Sequence, residues 1–346
     1  MPSEQVLVVG GTGFVGALLV RALHGLGHDV TVYHRGRHEP ELPLGVRHVR
    51  SESAAIPVLH FPDELRRAEF SVVVLVVPLG GADAGAAVDA FRGRAGRLVA
   101  ISSGDVYAAY GELIGTEPAP GKARPALLAE SAPLRSVLYP YGRRVEGPWG
   151  ELRDYEKILV ERAVLGDAAL PGTVLRLPKV YGPGDVQHVF APYVRRMADR
   201  RPFILLGERQ AAWRWTHGYV ENVAWAVALA TIDHRAAGRT YNVGEQPTPT
   251  FAERVRALGH AAGWQGEIVT VPDDQLPGHL RGPLTHVVDL AYDTTAIRSE
   301  LGYEEPVAYE DGLRRTVAWE RDAMPAANRA ALDVDYAAED ETRDEW

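Results

Sequence analysis

Seven residues near the N-terminus constrain this chain most. Gly10-Gly-Thr-Gly13-Phe-Val-Gly16 lies between an apolar run, Val6–Gly10, and a helix-patterned stretch, Phe14–Leu26. Glycines at 10, 13 and 16 let the backbone leave a buried strand, turn tightly and enter a helix whose first amides stay free. Those amides, with the partial positive charge of a helix start, suit a pyrophosphate that touches Gly10, Gly13, Phe14, Val15 and Gly16. Alone the glycine pattern is weak. Its context gives it weight, because a second apolar run, Val30–Tyr33, follows the helix on schedule.

The alternation then continues. Val72–Val77, Arg97–Ser102 and Thr173–Leu177 read as strands, and a helix is expected from about Arg153 to Leu165. Continuous apolar strands separated by helices imply a doubly wound, mainly parallel α/β sheet covered on both faces. After Tyr181-Gly-Pro-Gly184 the segments become shorter and richer in aromatics. The expected division is a Rossmann-like domain over 1–181, to which 216–245 returns, and a smaller C-terminal substrate domain over 182–215 and 246–322. An acidic tail, 323–346, ends the chain.

With 346 residues, the chain has room for two packed domains. A net charge of −9 argues against nucleic acid as the partner. Seven of the acids lie in Asp333–Trp346 against one arginine, the pattern of a solvated charge run. Apolar runs such as Val72–Val77 fall far short of the ~20 residues that span a bilayer, and no basic leader is visible. A cytoplasmic protein without membrane contact is therefore expected. The absence of cysteine removes thiolate ligands and nucleophiles, and the 12 histidines show no metal-ligand spacing, so no metal is expected.

At the end of the second strand, where an NAD site offers a carboxylate to the ribose, this chain has His34-Arg35-Gly36-Arg37. A guanidinium suits a 2′-phosphate, so Arg35 and Arg37 favour NADP, with NAD the alternative.

These residues and others from about 6 to 320 resemble the extended short-chain dehydrogenase/reductases, the NAD(P)-dependent epimerase/dehydratase family. Ile101-Ser-Ser-Gly-Asp-Val-Tyr107 looks like the family's serine-bearing strand end, and Lys157-Ile-Leu-Val-Glu161 like its lysine helix. Arg176-Leu-Pro-Lys-Val-Tyr-Gly-Pro-Gly184 looks like the nicotinamide-lining segment, and Thr216–Ala224, Tyr241–Gly244 and Leu301–Pro306 complete the order. The resemblance implies that Ser103 orients the reacting oxygen and that Lys157, one of only three lysines, holds the nicotinamide ribose. It places Pro78, Ser102, Pro178 and Val180 along the cofactor. The implied activity is hydride transfer on a small molecule, a nucleotide sugar or a secondary-metabolite intermediate, and a homodimer is compatible with it.

The pattern breaks at one point. Four residues before Lys157, where the family carries its acid/base tyrosine, stands Arg153; Tyr155, two positions away, would point to the opposite side of a helix. Three readings stay open. A tyrosine from elsewhere, Tyr107, Tyr139 or Tyr141, reaches the site, and Tyr107 is the one carried forward. Another group, Asp105, Asp154 or a histidine, replaces the phenol. Or the protein holds the dinucleotide as a structural or sensing ligand without redox chemistry. Arg214, His188 and Arg281 are the candidate substrate contacts. Trp213-Arg-Trp215 is an aromatic–basic cluster suited either to stacking on a substrate or to packing between domains.

Overall fold

The computed structural model describes residues 3–37, 40–53, 56–118, 126–142, 150–281, 288–322, 332 and 334–346. The first half alternates as β1 (Gln5–Val9), α1 (Phe14–Gly25), β2 (Asp29–His34), β3 (Arg47–Arg50), α2 (Asp63–Arg67), β4 (Phe70–Leu75), α3 (Gly81–Phe91) and β5 (Ala95–Ser103). Then come α4 (Ala108–Leu113), α5 (Lys157–Leu165), β6 (Gly172–Leu177), β7 (Lys179–Tyr181), α6 (Ala191–Ala198), β8 (Phe203–Gly207), α7 (Glu208–Ala212) and β9 (His217–Tyr219). The chain continues through α8 (Val220–Ile232), β10 (Thr240–Asn242), α9 (Phe251–Ala262), β11 (Glu267–Val271), α10 (Thr295–Leu301) and α11 (Tyr309–Asp322).

The main sheet has seven strands in the order β10-β6-β5-β4-β1-β2-β3, every pair parallel. Alternate residues of each strand feed two cores. Val6 and Val8 face α1 and α8 with Leu19, Val20, Leu23 and Val227, whereas Leu7 and Val9 face α3 and α5 with Ala84, Val88, Val160 and Val164. Each buried valine or leucine here contributes roughly 1.5–3 kcal/mol relative to exposure, which is why the strands read as apolar runs. Strand order reverses between β1 and β4, and a crevice opens there at the strands' carboxyl ends, the place where α/β sheets bind ligands. A third core joins α6, α9 and α11 to β8 around Phe190, Met197, Leu206, Leu258 and Leu313. Among the described residues no helix is long and apolar enough to cross a membrane.

Two expectations need correction. The helix expected from about Arg153 begins at Lys157, and Arg153 lies in a short 3-10 turn. Glu156 sets this start: its backbone is extended, its N–H donates to Leu79 O at 2.7 Å, and its carboxylate accepts from Ile158 N at 2.9 Å. The same carboxylate takes buried Arg135 at 3.1 Å, so the cap is anchored in the interior. The acidic end, read as solvated, carries a helix from Tyr336 to Asp344 whose Glu339 is fully buried. Arg196 donates to that carboxylate at 3.1 and 2.5 Å, and His279 Nε2 lies 3.0 Å from it. A buried acid is tolerated when hydrogen-bonding partners satisfy it, and these two are far away in sequence.

Candidate active site

The glycine turn is built by close approach. Gly10 has φ of +90°, and a Cβ there would lie 2.4 Å from Val77 Cγ2; at Gly16 a Cβ would lie 2.5 Å from the Gly10 carbonyl. Gly13 differs, because a Cβ there meets nothing within 4 Å. It is the N-cap of α1, provides no side-chain cap, and no acid occupies the first turn, so the leading amides remain available to an anion.

The crevice beside this turn is lined by Thr12, Arg35, Arg37, Ser51, Phe61 and Pro78. Ser51 rather than exposed Glu52 reaches it. His34 is buried, accepts Gly36 N–H at Nδ1 (3.2 Å) and therefore directs Nε2–H at His48 Nδ1, 3.1 Å away. Asp83 organises the turn after β4 by accepting Leu79 N at 2.6 Å and Gly80 N at 2.9 Å.

A second cavity, of about 630 Å³, adjoins the helix start. Phe14, Val15, Pro178 and Val180 line it together with Ser103, Asp105 and Tyr155. Because α5 begins only at Lys157, Tyr155 is not bound by helical geometry. Its hydroxyl donates to Asp105 Oδ2 at 2.7 Å, and Ser103 is a further hydrogen-bond partner. Its ring centroid lies 5.4 Å from Lys157 Nζ. The expected divergence of Tyr155 from Lys157 is thus overturned, for the reason that Glu156 ends the non-helical segment. Burial first, then the neighbouring Asp105 charge, pushes the Tyr155 phenol well up, so it stays protonated. Burial also raises Asp105, against the opposing pull of Tyr155, Arg135 and Lys157. Asp105 Oδ2 is 3.4 Å from Tyr141 Oη, which is 3.0 Å from Tyr110 Oη, while Oδ1 is buried with no hydrogen-bond partner among the described residues. Lys157 donates to Pro78 O at 2.5 Å and Ile101 O at 3.1 Å, and burial lowers its pKa to about 8.

Other candidates lie elsewhere. Tyr107 is fully buried away from the cavity, donating to Asn242 Oδ1 at 2.6 Å and accepting from Arg176 Nη1 at 3.1 Å. It follows Ser103 on a short helical turn that carries it under β6 and β10. Ser102 alternates away from Ser103 and donates to Glu161 Oε1 at 2.6 Å, inside the Glu161–Arg176 ion pair. Tyr139 is half exposed, with its N–H held by Glu156. His188 contacts Glu320 at 2.8 Å and stacks on Trp319 at 5.0 Å. Arg214 donates to Thr248 O at 2.5 Å, and exposed Arg281 to Leu276 O and Asp274 O, both at 2.7 Å. None of these three lines the cavity. His217 is buried, stacked on Phe190 and held neutral by burial, which lowers its pKa well below the usual value. Among the described residues no group of three potential metal ligands occurs.

Sequence reasoning set Tyr155 aside as pointing away and missed Tyr292; both line the cavity, as do Trp215 of the aromatic–basic cluster and Lys179 of the 176–184 segment. A signal for the first existed: an acid immediately before Lys157 is a competent N-cap, and a helix starting there frees Tyr155. Lys122 lies outside the described residues; both remaining lysines stand at this site.

The sequence pattern of the NAD dependent epimerase/dehydratase family matches residues 6–57 and 143–244. The chain is 30% identical over 278 residues to the 2′-dehydrokanamycin reductase of Streptomyces kanamyceticus, covering 78% of this chain and 69% of that protein. It is 29% identical to the dTDP-glucose 4,6-dehydratase of Streptomyces niveus over 67% of this chain, and spans only 60% of that enzyme. In fold it is similar to the UDP-glucose 4-epimerase of Thermotoga maritima, with a TM-score of 0.65, 18% identity, and coverage of 92% of this chain and 99% of that one.

Proposed function

Because this chain belongs to the NAD-dependent epimerase/dehydratase family, we propose that it is a dinucleotide-dependent oxidoreductase of small molecules in which Tyr155 supplies the acid/base phenol. The observation that carries the reading is the convergence of Ser103, Asp105, Tyr155 and Lys157 beside a cavity that opens onto the start of α1. The open approach at Gly13 and the uncapped helix start fit a pyrophosphate. The dinucleotide, when bound, supplies or accepts the hydride.

The chain's own residues handle the oxygen and its proton. Ser103 and Tyr155 offer hydroxyls to one carbonyl oxygen. The one Tyr155 proton, donated to Asp105 Oδ2 in the resting site, turns to that oxygen and is transferred as negative charge develops; a proton reaching Asp105 then passes to the phenolate and restores it. Tyr141 and Tyr110 extend the relay from Asp105. Lys157 uses two of its three protons on the Pro78 and Ile101 carbonyls, leaving the third for a ribose hydroxyl. Arg35 and Arg37 support NADP over NAD, since both line the adenosine end of the crevice and can pair with a phosphate. Residues 182–215 and 246–322 form the substrate side in this reading.

The test is gentle purification, release of bound nucleotide and its identification by mass spectrometry, with NADPH and NADH titrations of the emptied protein. Bound NADP(H), or NADPH preferred over NADH, is the expected result; failure to bind either dinucleotide refutes the reading. Tyr155→Phe should lower turnover at least about a hundredfold while leaving dinucleotide affinity within about twofold. Unimpaired turnover in that variant would remove Tyr155 from the chemistry.

A further inference from the structure

The cavity's lining is unlike a phosphate site. Six aromatic side chains, Phe14, Tyr110, Tyr141, Tyr155, Trp215 and Tyr292, line it. Among the described residues that line it, Lys179 is the only cation, set against the two carboxylates of Asp105 and Asp185. Lys179 is itself engaged, donating to Gln187 Oε1 and lying 5.8 Å from the Trp215 ring centroid. A diphosphate needs charge-assisted donors in excess of nearby carboxylates, and the balance here is the reverse.

The register of one extended segment produces this. Arg214 bridges to Thr250 and Trp215 to Leu290, so successive side chains project to opposite sides. Trp215 enters the cavity, and Arg214 turns away to the Thr248 carbonyl. The indole is fixed from behind by Trp213, with centroids 5.1 Å apart, and by His217 at 5.9 Å. A rigid aromatic face held this way is a platform for a flat ligand.

We infer that the substrate is a phosphate-free carbonyl or alcohol with a planar, unsaturated ring system that stacks on Trp215, and not a nucleotide diphosphate sugar; this rests on the reading of the same cavity as the site of oxidoreduction. Trp215 is then the residue that determines specificity, with Tyr110 and Tyr292 bounding the ring.

The experiment titrates the full chain with methyl naphthyl ketone and, separately, with UDP-glucose, each with and without saturating NADP, by calorimetry. The naphthyl ketone should bind at least about tenfold more tightly than UDP-glucose. Trp215→Ala should weaken the ketone about tenfold, and Trp215→Phe should restore most of the loss, which separates stacking from a general defect in folding. UDP-glucose binding as tightly as the ketone, or ketone affinity indifferent to Trp215→Ala, overturns the inference. The NADPH titration of the same sample reads the oxidoreductase proposal independently. Its failure leaves the order of the two ligands to decide the substrate class.

Discussion

Replacing Lys157 by methionine isolates the electrostatic cost of the site without any knowledge of the substrate. The ammonium is buried, and desolvation lowers its pKa from 10.5 to about 8 despite the opposing attraction of Asp105, Asp83 and Glu161. Between those two values the native protein binds fewer protons than the unfolded chain, so the group's contribution to stability rises with pH across that window. Below about pH 8 both states are charged and the cost is constant, near 3 kcal/mol from the 1.36 kcal/mol of each pKa unit. By pH 10 most of that cost has gone. Lys157→Met also removes the donors to Pro78 O and Ile101 O, a loss of about 1–3 kcal/mol per unpaired group that does not vary with pH. Wild type should therefore gain about 2–3 kcal/mol on the variant between pH 7 and pH 10, whichever is the more stable at neutrality. Tyrosine ionisation is common to both proteins and cancels in the difference. Urea unfolding of dinucleotide-free protein at half-unit pH steps measures it. A difference that stays constant across this range would mean the lysine is solvated, and the account of the site as a dry, charged pocket would fall.

Three further outcomes follow from particular contacts. A Cβ on Gly104 would sit 1.8 Å from the Tyr292 hydroxyl, so Gly104→Ala should cost about 1–3 kcal/mol and displace Tyr292 from the cavity, read by urea unfolding and by ligand affinity. Unchanged stability would show that the strand end relaxes freely. Arg35→Ala should weaken NADPH about tenfold or more and NADH by less than about threefold, because only the former carries the 2′-phosphate; equal losses would remove Arg35 from cofactor choice. Glu339→Ala deletes the acceptor shared by Arg196 and His279, so amides of 336–344 should lose protection from hydrogen exchange while β1 and β4 keep theirs. Retained protection in the helix would mean that Tyr336 and Asp340 hold it without Glu339.

The sheet was legible because its information is local. Val72–Val77 is apolar on both faces, and Thr173–Leu177 departs only at Thr173 and Arg176, both buried against internal partners; such runs belong to a strand covered by helices on each side, so β4 and β6 appear within two residues of their expected bounds. The edge strand β3 escaped notice for the complementary reason. Arg47-His-Val-Arg50 buries Val49 alone, and charges on an edge protect it from pairing with another chain. The buried Glu339 was equally hidden, since nothing adjacent in sequence distinguishes an acid facing water from one facing Arg196.

The site divides along the same line. The glycines follow from backbone requirements that sequence states directly, Ser103 and Lys157 come with the family resemblance, and the structure brings Gly10, Gly13, Gly16, Ser103 and Lys157 to one end of the sheet. Tyr155 depended instead on a helix boundary. One residue's capping choice decides whether it shares a helix with Lys157 or precedes it, and boundaries are set by competition among nearby partners, here Arg135, Leu79 and Tyr139 for Glu156. Trp215 and Arg214 depended on register, where a shift of one residue exchanges the side that meets the ligand. An aromatic and a cation side by side in an extended segment are interchangeable in sequence and opposite in consequence: with Trp215 inward the cavity selects for a stacked ring, and with Arg214 inward it would have selected for phosphate.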